Sequence, residues 1–457
     1  MRALLISANV AKTPYPVYPL GMGMVAAALT DAGHEVAQYD FLQHDLSLES
    51  LRTCVTEATP QVVGISIRNI DNVNLVNEQR YLDTVSKIVA VVREATSAPV
   101  VLGGSGFSLM PEEILAKVGG DYGVVGEGEA LMVQFVDSVA RGTLPKERIL
   151  RGSCVLQGDA IQSAIYDPTI MRYYLGSGYT ASVQTKRGCT HRCAYCSYPM
   201  LEGFTIRCRP VDAVVDDLER LVRDFGVKMV FFTDSVFNDD EGHYLEVLRD
   251  MRRRNVRVPW IAFMKPEAFS EDTLLLMRET GLRAVELGAD APTDTTLRGL
   301  RKSFSFADVE ECNRRLTNHG IAVAHYYMFG GPGETADTVR EGIRNIIGLN
   351  DAVSFMFMGI RVLPGTPLAK IAERDGITKP GQDLVDPVYY IAPGLDRQWL
   401  HETLTNAFKD VRHCVFPPDA FEDHIRLLHQ LGHVGVLWDI LKPGKKGRGG
   451  QRKHEHA

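Results

Sequence analysis

Two rounds of short apolar runs alternating with helix-like stretches constrain this chain more than any other feature. In the first round the strand candidates are Ala3–Ser7, Glu35–Tyr39, Val62–Ile67, Val100–Gly103 and Tyr122–Val125, with helical patterns such as Leu20–Ala32 and Tyr81–Ala95 between them. In the second they are Ala181–Thr185, Lys228–Phe232, Trp260–Phe263, Ala284–Leu287, Ala322–Met328 and Ser354–Ile360, separated by stretches such as Ala213–Phe225 and Asp308–His319. Strands that alternate with helices at this spacing pair in parallel, because each crossover returns the chain to the same end of the sheet. Runs such as Pro-Val-Val-Leu-Gly-Gly are apolar throughout, as a strand covered on both faces must be. The fold class that follows is α/β: an N-terminal doubly wound parallel sheet, then a six-unit (β/α)6 partial barrel, then a small helical C-terminal region.

The expected division is residues 1–145 for the first sheet, 146–180 for a linker with a few short strands, 181–375 for the barrel and 376–441 for helices such as Gln398–Val411 and Ala420–Leu431. The tail from 442 to 457 carries six Lys/Arg and one Glu. It is rich in Gly, and reads as a disordered, solvated tail rather than a nucleic-acid or membrane contact. The whole chain has 50 Lys+Arg against 57 Asp+Glu, a net charge of −7, so no polyanion-binding surface follows and a nucleic-acid partner is not expected. No apolar run reaches the ~18 residues of a membrane span, and the apolar stretch Ala3–Ile6 reads as a strand rather than a signal peptide. The expected compartment is the cytoplasm.

Ligands in open parallel sheets bind beyond the carboxyl ends of the strands. Three loops there are small and glycine-rich: the loop from Ser7 to Gly21, which ends Tyr18-Pro-Leu-Gly21; Gly103-Gly104-Ser105; and Gly126-Glu127-Gly128-Glu129. Each alone is ordinary turn chemistry. Together on one edge they suit a ligand with a flat face that needs close backbone approach.

The chemistry is concentrated in Cys189-Thr-His-Arg-Cys193-Ala-Tyr-Cys196, directly after the first strand of the second round. Three thiolates in eight residues can wrap a compact iron–sulfur cluster. They can hold three irons of a four-iron cube and leave the fourth open to a ligand. A structural zinc site is the alternative, but it needs four ligands, usually as two spaced pairs. No second pair lies nearby, and His191 reads as a loop residue. Of the eight cysteines, the other five (Cys54, Cys154, Cys208, Cys312, Cys414) are scattered and read as buried apolar residues.

The CxxxCxxC loop with Tyr195 before its last cysteine resembles the radical S-adenosylmethionine (SAM) superfamily. The likeness extends along residues 175–375. Phe232-Thr-Asp-Ser-Val-Phe-Asn238 resembles the segment that contacts the methionine amino group, and points to Asp234 and Ser235. Val285-Glu-Leu-Gly-Ala-Asp290, followed by Leu300-Arg-Lys302, is similar to the fourth-strand segment and points to Glu286 and to Asp290, where Glu is more usual. Tyr327-Met-Phe-Gly-Gly-Pro-Gly-Glu334 and Arg361-Val-Leu-Pro-Gly-Thr-Pro-Leu368 resemble the fifth- and sixth-strand endings. With a doubly wound domain in front, the whole resembles the cobalamin-dependent radical SAM enzymes. The DxHxxG cobalamin motif is absent, and Asp31-Ala-Gly-His34 has the wrong spacing.

The resemblance implies three cofactors: a 4Fe-4S cluster on Cys189, Cys193 and Cys196; SAM near Tyr195, Asp234, Ser235, Glu286 and Asp290; and cobalamin near Tyr18, Gly21, Gly103, Gly104, Ser105, Gly126, Glu127 and Gly128. It implies a 5′-deoxyadenosyl radical and methylcobalamin, hence methylation of an unactivated carbon in a lipid or secondary-metabolite substrate, with flavodoxin or ferredoxin as electron donor. Cyclisation, ring contraction or rearrangement without methyl transfer is the other reading. An RNA methylthiotransferase would need a second three-cysteine cluster in the first domain, where only Cys54 and Cys154 precede Cys189. A non-catalytic carrier would not need the full set of SAM-type segments. Residues 376–441 are expected to close the substrate pocket, with Tyr389, Tyr390 and His401 as candidate lining residues. Phe355-Met-Phe-Met358 suits either an apolar substrate or a buried strand.

Overall fold

The computed structural model describes residues 1–12, 16–152, 155–176, 180–349, 351–433 and 435–442. The tail from 443 onward, and Cys154, lie outside the described residues.

Six strands form the first sheet: β1 (Arg2–Ser7), β2 (Glu35–Asp40), β3 (Val62–Ser66), β4 (Val100–Gly103), β5 (Tyr122–Val125) and β6 (Ile149–Arg151). Their order is β2-β1-β3-β4-β5-β6 and every pair is parallel. The expected doubly wound sheet is present. It takes one more strand than the sequence pattern suggests, because β6 lies in the stretch read as linker. That stretch also holds the helix Pro168–Gly176, whose Ile170, Met171 and Tyr174 are buried. The chain leaves β1 on one side for β2 and returns on the other for β3. The loops after β1 and β3 therefore diverge and open a crevice between them.

The second sheet comprises β7 (Ala181–Val183), then, after the two-stranded ladder of β8 (Lys186–Arg187) and β9 (Arg207–Cys208), β10 (Val230–Phe232), β11 (Trp260–Met264), β12 (Leu282–Asp290), β13 (Ala322–Phe329) and β14 (Val353–Met358). A second small ladder joins β15 (Ile360–Arg361) to β16 (Tyr389–Tyr390), and β17 (Cys414–Val415) completes the sheet. The order β17-β14-β13-β12-β11-β10-β7 is wholly parallel, as a partial barrel requires. The seventh strand comes from the region read as helical.

Alternation along these strands separates two cores. Val285, Val323, Tyr327 and Phe329 face the surrounding helices. Phe231, Ile261, Ala284, Ala322, Ala324, Val353, Phe355 and Val415 face inward, where Trp438 and Leu441 join them. Small alanines on β12 and β13 leave room for the Trp438 ring, which is 1% exposed. The C-terminal segment thus fills the barrel interior at the end away from the strand tips. Among the described residues no helix is long and apolar enough to cross a membrane.

Candidate functional site

The two sheets turn their strand tips toward one cavity of about 710 Å³, within the size range of small-molecule and cofactor sites. From the first sheet it is lined by Ser7, Asn9, Tyr18 and Gly21, by Gly103, Gly104 and Ser105, and by Gly126, Glu127, Gly128 and Glu129. From the second come Gln184, Arg187, Phe231, Thr233, Phe263, Glu286, Tyr326, Phe355 and Phe357. All eight first-domain residues singled out in the sequence therefore border one space.

Their roles in that border differ. A Cβ built on Gly21 or Gly126 meets nothing within 4 Å, so both leave backbone open to the cavity. Gly104 differs. Its φ is +97° and a Cβ there would lie 2.6 Å from the Ile67 carbonyl oxygen, so it is glycine because it crosses the β3 loop, not because a ligand presses on it. Ser105 donates its hydroxyl to the Arg68 carbonyl at 3.0 Å. Tyr18 is packed between Tyr166 and Tyr174, with ring centroids at 5.3 and 5.7 Å, and its hydroxyl accepts from the Asp167 amide at 3.0 Å. Burial holds that phenol well above its ordinary pKa. The Glu127 carboxylate accepts from Arg187 at 3.1 Å, from Arg207 at 2.8 Å and from the Leu156 amide at 2.6 Å. It lines the cavity while accepting from these three protein donors.

Behind the cavity wall stands the cysteine loop. β8 leads into Gly188, whose φ of +89° and close approach to the Thr205 carbonyl (a Cβ would lie at 2.1 Å) admit no other residue. The Cys189 amide donates to the Gly203 carbonyl at 3.2 Å, the Ala194 amide to the Leu300 carbonyl at 2.9 Å, and the Leu368 amide to the Ala194 carbonyl at 2.7 Å. The loop is thus pinned by the segments that follow the fourth and sixth barrel strands. A short helix, Tyr198–Glu202, follows it directly, and its Tyr198, Leu201 and Glu202 border the cavity. Cys189, Cys193 and Cys196 are free thiols. Burial raises the pKa of Cys189 and pushes that of Cys196 up to about 12. Among the described residues no three His, Cys, Asp or Glu side chains already stand together as a closed metal centre. The fitting donors are these three thiols, a set that suits iron–sulfur chemistry more than zinc.

Tyr195 donates its hydroxyl to Asp290 at 2.5 Å, and Asp290 pairs with Lys302. Burial alone would lower the Lys302 pKa, but Asp290 and Cys193 outweigh it and raise it. The three side chains brace the loop against β12. Asp290 itself has φ of +65°, where the β12–β13 register breaks.

Asp234 is engaged by the protein's own donors. It is 1% exposed and its carboxylate accepts from the Thr185 amide at 2.7 Å, the Thr185 hydroxyl at 2.6 Å and Lys186 Nζ at 3.2 Å. A buried ammonium needs such a partner, and the neighbouring Thr233 takes the place on the cavity wall. Ser235 donates to Glu202 at 3.1 Å, and burial raises the Glu202 pKa. Of the five residues expected near SAM, Glu286 alone borders the cavity. Tyr390 is bonded to Asp375 at 2.8 Å and His401 packs on Phe416; neither they nor Tyr389 line the cavity. Phe355 and Phe357 do, while Met356 and Met358 turn into the helix-side core.

The β3 loop was missed in sequence. Arg68, Asn69, Asp71, Asn72, Val73 and Asn74 line the cavity, and the loop is tied to the C-terminal region by Asp71 to Arg361 at 2.8 Å and Asn74 to Asp419 at 3.0 Å. Its one sequence signal is its place after β3, beside the switch point.

Known proteins carry the same two parts in the same order. The B12 binding domain family matches residues 6–136 and the radical SAM superfamily residues 183–346. A tryptophan 2-C-methyltransferase of Streptomyces laurentii is 26% identical over 79% of this chain and 73% of its own. An anaerobic magnesium-protoporphyrin IX monomethyl ester cyclase of Cereibacter sphaeroides is 25% identical over 71% of this chain and 56% of its own. The solved structure of the radical SAM methyltransferase TsrM from Kitasatospora setae, with cobalamin and a 4Fe-4S cluster bound, superposes with a TM-score of 0.83 at 25% identity and covers 96% of this chain and 97% of that one. With both families matched in sequence and their sheets facing a single cavity, the chain belongs to the cobalamin-dependent radical SAM enzymes.

Proposed function

We propose that this enzyme is a methyltransferase that uses cobalamin and SAM to methylate an unactivated carbon of a small molecule, a lipid or a secondary metabolite. The observation that carries the reading is the single cavity bordered by the glycine loops of the first sheet and the strand tips of the second. One space open to both sheets lets two cofactors address one substrate.

Cys189, Cys193 and Cys196 would hold the 4Fe-4S cluster, with Tyr195, Asp290 and Lys302 bracing their loop. The open backbone at Gly21 and Gly126, with Gly103, Ser105 and Gly128, would seat the flat face of cobalamin. Glu286, beside Gln184 and Thr233 on the cavity wall, is a polar group that SAM or substrate would meet at the barrel mouth. The cofactors supply the radical and methyl-transfer chemistry. The chain's own task is to orient them and exclude water, which the apolar side chains Phe231, Phe263, Phe355 and Phe357 at the barrel mouth favour. Free thiols and an oxidisable cluster suit a reducing compartment such as the cytoplasm, and a flavodoxin- or ferredoxin-type donor would supply electrons.

The test is product analysis with methyl-labelled SAM under reducing conditions, against candidate substrates drawn from neighbouring genes. Equal amounts of 5′-deoxyadenosine and S-adenosylhomocysteine, with one labelled methyl in the product, are expected. Deoxyadenosine with an unmethylated product would assign the chain to rearrangement or cyclisation, the chemistry named for the Cereibacter sphaeroides relative.

A further inference from the structure

Four charged side chains join the cofactor loop of the first sheet to the strand that leads into Cys189. Arg187 lies on β8, two residues before Cys189. Its guanidinium donates to Glu127 at 3.1 Å and to Glu129 at 2.5 Å, while its Nε donates to Gln184 at 3.0 Å. Arg207 stands opposite it on β9 and donates to both oxygens of Glu127, at 2.8 and 3.1 Å. Two arginines facing each other across a ladder repel, and two glutamates from the other domain neutralise them. Arg187, Arg207 and Glu129 are each 6–7% exposed. Burial would lower the Arg187 pKa, but Glu129 and Glu127 raise it beyond its ordinary value.

A charged cluster of this burial is poor evidence for stability, since desolvation offsets most of the attraction. Its geometry is specific in another way. Glu127 sits between Gly126 and Gly128 on the cavity edge, and Glu129 opens the helix Glu129–Ala140. Arg187 is bonded to Gly188, which only glycine can occupy, and Gly188 to Cys189. Between the cavity loop and the first cluster cysteine there are thus one forked ion pair and two peptide units, and the Arg187 side chain that spans them is held by its burial and by the Gln184 bond to its Nε.

We infer that Arg187, with Glu127 and Glu129, is a positioning clamp that fixes the cobalamin loop against the cluster loop, and so sets the distance between the two cofactors. The inference rests on the two-cofactor reading above. Arg is the required residue, because its planar fork can hold two carboxylates at once and an ammonium cannot hold the same geometry.

Two experiments test it, with Glu311→Gln as the control. Glu311 pairs with Arg314 and Arg315, each at 2.7 Å, on the helix Phe306–Asn318 of the second domain, so the variant removes the same charge without touching the clamp. In the first experiment the full-length protein without cofactors is followed by hydrogen exchange. Glu129→Gln should speed amide exchange about tenfold in residues 124–130 and also in residues 184–190 of the other domain, while Glu311→Gln leaves both unchanged. Loosening confined to 124–130 would overturn the clamp. In the second, cobalamin- and iron-loaded protein is given SAM, hydroxocobalamin and titanium(III) citrate, and S-adenosylhomocysteine is measured. Arg187→Met should lower its turnover at least tenfold with the KM for SAM and the cobalamin loading within twofold of wild type, and Arg187→Lys should recover part of the loss. Turnover within twofold of wild type in Arg187→Met would overturn the clamp. Loss of cobalamin loading would do so too, by making Arg187 a binding residue. If wild type itself binds no cobalamin, the functional reading fails, and the exchange experiment still decides whether the clamp exists.

Discussion

Two glycines on the same cavity edge should respond in opposite ways to a single methyl group. Gly104 has φ +97° and ψ 171°, a region essentially closed to L side chains, and an added Cβ would lie 2.6 Å from the Ile67 oxygen and 3.0 Å from its carbonyl carbon and amide nitrogen. Strain of this kind costs about 1–3 kcal/mol, and forcing apart two backbone segments adds about 1–3 kcal/mol more. Gly104→Ala should thus destabilise the first domain by about 2–6 kcal/mol, and at about 2–4 °C per kcal/mol lower its Tm by roughly 4–24 °C. Gly21 lies in the first turn of the helix Leu20–Asp31 with open space around its Cβ. There Gly21→Ala should leave Tm unchanged or raise it, by up to about 1 kcal/mol of helix propensity, and should instead weaken cobalamin binding by placing a methyl group in the cavity. The assay is a thermal melt of cofactor-free protein beside equilibrium dialysis against hydroxocobalamin. A Gly104→Ala variant that melts with wild type but binds less cobalamin would refute the reasoning, because it would put the Gly104 Cβ against the ligand rather than against Ile67.

Anaerobic reconstitution should load about four irons per chain as one cube, and replacing Cys189, Cys193 and Cys196 together with Ala should remove both the iron and SAM cleavage; a full cluster in that variant would end the assignment. Glu334 offers a pH signature. Its buried carboxyl is pushed up to about 8 by burial, against the opposing pull of the Gly330 and Gly331 amides that donate to it. The folded protein therefore binds the proton more tightly than the unfolded chain. This contribution is full below the ordinary carboxyl pKa of about 4.5 and is lost as pH rises through about 8. Denaturant unfolding of cofactor-free protein should show stability falling from about pH 5 to 8, and Glu334→Gln should flatten that fall; an unchanged slope would show that Glu334 does not carry it.

The parts of this protein legible in sequence were those whose signal is local. Buried parallel strands show as continuous apolar runs, so β4 and β5 coincide with their sequence ranges and most other strands fall within a few residues of theirs. The cysteine loop is equally local, since its spacing alone specifies a compact set of thiols. What escaped depends on distant partners. β17 is two residues long, and is a strand only because β14 offers it an edge. β12 runs on to Asp290 through a break in register that no periodicity marks. Asp234 was marked by the likeness of its segment to the radical SAM family. Its bonds to Thr185 and Lys186 were not legible, because the burial of Lys186 cannot be read from a Lys-Arg dipeptide. The cavity wall contributed by Arg68–Asn74 is polar and aperiodic, so only the position of its loop at the switch point could have marked it.

The entry of Trp438 and Leu441 into the barrel interior has a consequence for biosynthesis. The first sheet is complete once β6 has been made, so it can form while the rest of the chain is still on the ribosome, as domains generally fold in order of synthesis. The second sheet cannot. Its outer strand β17 and the side chains that fill its interior follow every other strand. Until residues 414–441 emerge, β14 is an uncovered edge able to pair with another chain, and the inward faces of Phe231, Ile261 and Val353 line an empty space. Early termination within residues 414–441 should therefore leave that edge and interior uncovered and yield aggregate rather than a shortened enzyme.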